Sequence, residues 1–135
     1  MKRVVITGMG IYSCIGKNLE EVAKSLYAGK SGIGIDPLRT EYGYRSPLTG
    51  IVERPQLKGL LDRRARVCMA EQCEYAYIAT LEALKNAQIY EHYLENNEIG
   101  LLYGNDSSAK AVIEAHQTAL EKHDTTLIEI GRAHV

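Results

Sequence analysis

The stretch that decides the fold is the first one, Lys2-Arg-Val-Val-Ile-Thr-Gly-Met-Gly10. At its centre, Val4-Val5-Ile6 is a β-branched apolar run without alternation, the pattern of a strand buried on both faces. Gly8 and Gly10 follow and give the backbone the freedom that a tight turn needs. The sequence therefore predicts a core strand at the start of the chain, with no room for a targeting peptide before it.

Composition indicates a single globular domain. The chain has 135 residues, of which 45% are hydrophobic and 24% charged, and its formal net charge is −1. This balance provides no basic field for nucleic acid or an anionic membrane, and no apolar run approaches the roughly 18 residues of a bilayer span. Cys14, Cys68 and Cys73 form no CxxC pair and leave one cysteine over, which favours reduced thiols in a cytoplasmic protein.

Strands and helices alternate along the chain, which predicts an α/β fold. Apolar residues at spacings of three and four define the helices, and glycines and capping residues mark where they end. After the first strand, the pattern predicts a helix capped by Asn18 and ended by Gly29, and then a loop with a small hairpin between residues 32 and 55. A helix capped by Asp62 is predicted to run from Arg63 to about Ala87. A second buried strand at Ile99–Tyr103 and a third helix ending near Asp124 follow.

The glycine turn after the first strand suggests nucleotide binding, but the spacing does not fit. The dinucleotide fingerprint G-x-G-x-x-G needs a glycine where Ser13 stands. A P-loop starting at Gly10 has one residue too many before Gly16-Lys17, and for Gly29-Lys30-Ser31 the leading glycine position holds Lys24. A small nucleotide-binding α/β module is therefore a minor alternative.

The cysteines and histidines form no recognisable catalytic or metal-binding pattern. Cys68 and Cys73 lie inside the long predicted helix, away from the N-terminus that would activate a thiol, and Cys14 has no histidine near it in sequence. We interpret all three as structural. No metal-ligand spacing links the four histidines, which are His92, His116, His123 and His134. The residues themselves therefore predict neither a metal nor a cofactor.

Three arginines lie at the start of the long predicted helix. Arg63, Arg64 and Arg66 place positive charge at the helix end where the dipole is already positive. This mismatch predicts carboxylate partners for the arginines or a function beyond the helix itself.

Four motifs, in order, give the chain a family resemblance. They are Arg3–Ile11 with Gly16, Leu26–Ile33, Leu61–Arg64 and Ile99–Gly104. Together they resemble the N-terminal region of the β-ketoacyl-acyl-carrier-protein synthases, the condensing enzymes of fatty acid synthesis.

The resemblance implies an α/β fold that is a partial first half of a thiolase-like fold, a mixed sheet between helices, truncated before the catalytic segment. It implies a parent enzyme that takes an acyl chain from acyl-carrier protein onto a cysteine and condenses it with malonyl-carrier protein, with two histidines assisting decarboxylation. None of the cysteines here matches the family's Ala-Cys motif, and the family's histidines lie downstream, so no catalytic residue is expected in this chain. A homodimeric cytoplasmic enzyme without a cofactor is implied, with acyl-carrier protein as partner. A non-catalytic chain-length-factor type of subunit is the alternative.

One loop can be assigned through the resemblance. Asn105, Asp106 and Ser107 match the family's loop that approaches the partner subunit and the far end of the acyl pocket. The family often has glycine and a bulky apolar residue there, so the polar residues predict a different chain selectivity or a polyketide-type relative. Capping of the third helix explains these residues equally well.

The last seven residues do not resemble the family. Ile130–Val135 back-translates as ATC GGA AGA GCA CAC GTC, a common sequencing-adapter sequence, and Glu129 fits a hybrid codon at the junction. We therefore expect residues 1–128 to be the N-terminal part of a synthase domain and residues 129–135 to be a non-native tail. A natural short tail is the alternative.

Overall fold

The computed structural model describes residues 3–105 and 109–125. A single small sheet lies among these residues, in which β1 and β2 pair antiparallel with Ile33 opposite Gly50 and Ile35 opposite Leu48. The hairpin predicted between residues 32 and 55 is thereby confirmed. The elements in chain order are α1 Leu19–Tyr27, β1 Ile33–Ile35, α2 Pro37–Glu41, β2 Leu48–Gly50, α3 Arg63–Cys68, α4 Glu71–Asn86, α5 Glu91–Asn96 and α6 Ala109–Lys122.

The chain divides into two compact units. The first comprises Met1–Glu53 and Tyr77–Asn97, and the second comprises Arg54–Ala76 and Glu98–Val135. None of the described helices combines the length and the apolar character that a membrane span requires.

Helix α1 begins and ends as the sequence predicts. The Oδ1 atom of Asn18 accepts a hydrogen bond from the backbone N–H of Glu21 at 2.9 Å, which satisfies one of the otherwise unpaired amides of the first turn. Gly29 follows the helix with φ of +62°, a left-handed conformation that favours glycine. The inner face of α1 contributes Val22, which is 7% exposed, to the small core of the first unit.

The two predicted buried strands are absent from this structure. Val4, Val5 and Ile6 form no strand and are 96%, 73% and 83% exposed. The second run, Ile99–Tyr103, also forms no strand, and Leu102 within it is 99% exposed. A strand needs neighbours for its N–H and C=O groups, and among the described residues the only sheet is the β1–β2 pair. The β-branched pattern indicates a preference for extended backbone, but a strand forms only where neighbouring strands accept and donate its hydrogen bonds.

The long helix predicted from Arg63 to about Ala87 is two helices. Asp62 caps the first as expected, because its Oδ1 accepts from the backbone N–H of Ala65 at 2.8 Å. Met69 then adopts φ −83° and ψ 131°, which is extended backbone, and ends α3. Residues 63–87 contain no glycine or proline, so local propensity gives no signal for the break. The break coincides with a buried point of the chain, because Ala70 and Glu74 next to it are 4% and 5% exposed.

Two short helices, α2 and α5, were not expected from the sequence, whereas α6 was. Helix α2 starts with Pro37 in its first turn, and the Oδ1 of Asp36 accepts from the backbone N–H of Leu38 at 3.0 Å. Aspartate followed by proline is a helix-start signal that the loop interpretation overlooked. Helix α6 ends at Lys122, close to the predicted Asp124, and confirms the third helix.

Candidate functional site

The loop assigned to the acyl pocket is described at only one of its three residues. Asn105 is exposed and lies outside any helix or strand. Asp106 and Ser107 lie outside the described residues. The assignment of Asn105, Asp106 and Ser107 to an acyl-pocket or dimer-facing loop therefore stays a prediction.

Cys14 is a half-buried free thiol packed beneath two glycines. A Cβ atom built on Gly32 would lie 2.6 Å from Cys14 Sγ, and one built on Gly50 would lie 3.1 Å from it. The sulfur thus fills space that a side chain at either glycine would need. Cys73 in α4 is likewise half-buried and free, and nothing is described of the Cys68 side chain. These surroundings fit the structural interpretation of Cys14 and Cys73.

No cluster of three or more histidine, cysteine, aspartate or glutamate side chains that could hold a metal occurs in the described ranges. Of the four histidines, His92, His116 and His123 are exposed, and His134 lies outside the described residues.

The turn that follows the first residues is packed against helix α4. A Cβ on Gly10 would overlap the carbonyl oxygen of Ala79 and lie 2.7 Å from the nitrogen of Ala83. A Cβ on Gly8 would overlap the carbonyl oxygen of Ala83 and lie 2.6 Å from the nitrogen of Ala87. Both glycines are therefore required for the close approach of the turn to the alanine face of the helix.

Two polar side chains of α4 hold the same turn in place. Glu82 accepts hydrogen bonds from two backbone amides, through Oε2 from Ile11 at 2.9 Å and through Oε1 from Leu19 at 2.8 Å. Asn86 Oδ1 accepts from the backbone N–H of Met9 at 3.1 Å. Neither role was predicted from the sequence, because a glutamate and an asparagine four residues apart on a helix are a weak signal. Together they position the N-terminal turn of the first unit.

The second unit contains a buried carboxylate paired with an arginine. Glu74 is 5% exposed, and its Oε2 and Oε1 atoms accept from Arg54 Nε and Nη2, each at 2.6 Å. This two-bond ionic contact raises the pKa of Arg54. Beside it, the Tyr75 hydroxyl donates to Glu71 Oε1 at 2.6 Å, and burial, reinforced by this hydrogen bond, raises the pKa of the phenol.

The Arg54–Glu74 pair lines a cleft of about 510 Å³, which we call the basic cleft. Its other charged lining residues are Lys58, Arg63 and Arg66. Arg63 and Arg66 come from the cluster for which the sequence predicted carboxylate partners or a separate function. The one described bond from their side chains is weak and local, from Arg66 Nε to the backbone oxygen of Asp62 at 3.3 Å. The arrangement can attract an anion.

One family model and two relatives match most of this chain. The family model described as "Beta-ketoacyl synthase, N-terminal domain" matches residues 1–131. The 3-oxoacyl-[acyl-carrier-protein] synthase 1 of Haemophilus influenzae is 40% identical over 104 residues, which are 77% of this chain and 25% of that protein. The protein of the same name from Escherichia coli K12 is 39% identical over 105 residues, 77% of this chain and 26% of the other. The chain thus spans about a quarter of the length of these relatives.

Two solved structures superpose on almost the whole of this chain, which corresponds to a third of each of them. A β-ketoacyl synthase from Burkholderia phymatum STM815 superposes with a TM-score of 0.79 at 26% identity, covering 98% of this chain and 33% of the other. The ishigamide ketosynthase/chain length factor superposes with a TM-score of 0.71 at 22% identity and the same coverage, a likeness of fold alone.

Proposed function

Because this chain belongs to the β-ketoacyl synthase family, we propose that it is part of an enzyme that elongates acyl chains in fatty acid or polyketide biosynthesis. The family match over residues 1–131 is the observation that carries the proposal. The synthases at 40% and 39% identity support it, because their names state the same activity. The substrate-bearing partner would be acyl-carrier protein.

The reaction of the whole enzyme would proceed in two covalent stages. A cysteine thiolate attacks the acyl thioester, and the carrier thiol leaves as the acyl-enzyme forms. Malonyl-carrier protein then loses carbon dioxide. The resulting carbanion attacks the acyl-enzyme carbonyl, so that a carbon–carbon bond forms and the cysteine thiolate departs. We do not assign the role of this nucleophile to any cysteine of this chain. The packing of Cys14 beneath Gly32 and Gly50 supports this, since a nucleophile must be open to substrate.

This chain would contribute scaffold rather than chemistry. The N-terminal turn is fitted to α4 through Gly8 and Gly10 and is held there by Glu82 and Asn86. This closely packed contact supports a structural role for these residues within the domain that carries the reacting residues. We further propose a homodimeric, cytoplasmic enzyme, with Asn105, Asp106 and Ser107 near the acyl pocket or dimer face.

The alternative of a non-catalytic, chain-length-factor type of partner is less well supported. The relatives with 38–40% identity are named as synthases, whereas the structure whose title includes a chain length factor is 22% identical and speaks for the fold alone. An active synthase is therefore the better proposal. A small nucleotide-binding module gains no support from these comparisons.

The decisive experiment begins with the genomic DNA beyond the codon for Ile128. We propose that residues 1–128 are synthase sequence and that residues 129–135, which lie outside the described residues, are a non-native tail. The genomic frame should then continue past Ile128 into small residues and encode an Ala-Cys motif. The protein expressed from that frame should form a 3-ketoacyl product from acyl- and malonyl-carrier protein. A stop codon directly after Val135, or a frame without a nucleophilic cysteine, would contradict the proposal.

A further inference from the structure

We draw no further inference here: the strongest candidate, the cleft of about 750 Å³ in the first unit that is lined by the start of α1 and the second half of α4, carries nothing, because its two carboxylates, Glu20 and Glu82, already accept bonds from within the chain and nothing in the structure shows what ligand would fill it.

Discussion

Gly10 lies against Ala79 so closely that a methyl group at position 10 would overlap the Ala79 carbonyl oxygen. The oxygen belongs to the backbone of α4 and cannot move aside as a flexible side chain would. The contact therefore fixes the distance between the N-terminal turn and the helix, and it can be tested by substitution.

Gly10→Ala should destabilise the chain by about 1–3 kcal/mol, the usual range for overpacking in a closely packed site. The measurement is the urea midpoint followed by far-UV circular dichroism. Gly100→Ala is the matched control, because nothing lies within 4 Å of a Cβ built at that position. Equal midpoints for the two variants would show that the turn does not pack on α4 as described.

Glu82→Ala should release the N-terminal turn, since the carboxylate alone accepts from the amides of Ile11 and Leu19. Leaving part-buried donors unsatisfied costs about 1–3 kcal/mol each. Hydrogen exchange at these two amides should become at least about tenfold faster. Glu121→Ala, at an exposed position of α6, should leave both rates unchanged, and unchanged rates in Glu82→Ala would refute the assignment.

Tyr75 should make the chain sensitive to alkaline pH. Burial and the hydrogen bond to Glu71 raise its folded pKa above the usual value of about 10. The unfolded chain therefore loses this proton first. The contribution to stability is fully present below pH ~10 and is lost as pH rises from there toward the folded pKa. The urea midpoint should fall more steeply above pH ~10 than in Tyr75→Phe, which lacks the proton. Tyr103→Phe, at an exposed position, should behave like the parent chain.

The exposed apolar runs should cause the 135-residue chain to self-associate. Val4, Ile6 and Leu102 are almost fully exposed. Unpaired apolar segments of high strand propensity pair readily with other chains. Light scattering should show association that Ile6→Lys together with Leu102→Lys reduces. Lysines introduced at Thr118 and Thr125 add the same charge and should have a smaller effect. Light scattering that shows only monomer would contradict this expectation.

The purified chain should form no 3-ketoacyl product from acyl- and malonyl-carrier protein. Carrier-protein binding cannot replace a covalent step through an activated cysteine. Product formation that disappears in Cys14→Ala would show that Cys14 is a nucleophile after all.

What the sequence predicted well is what local chemistry determines. Asn18 and Asp62 cap their helices because a short polar side chain before a helical run satisfies amides within the same few residues. The motifs likewise identified the family and the partial thiolase-like fold, which the match over residues 1–131 and the superposition on a solved β-ketoacyl synthase confirm.

What the sequence could not predict depends on partners distant along the chain. Val4–Ile6 has the composition of a buried strand, but its burial requires neighbouring strands that the described residues do not supply. Glu82 and Leu19 are 63 residues apart, and Arg54 and Glu74 are 20 apart. No periodicity connects such pairs, so the anchors of the turn and the basic cleft became visible only in three dimensions.

The unequal exposure of Arg54 and Glu74 constrains how these two positions can evolve. Replacing Arg54 first would leave a buried carboxylate without its counter-ion, which destabilises the fold. Replacing Glu74 first would leave an arginine whose side chain is already 59% exposed and can turn to water. Neutral drift toward an apolar pair would therefore pass through position 74 before position 54. The order of substitutions in a lineage is thus set by which partner the fold has buried.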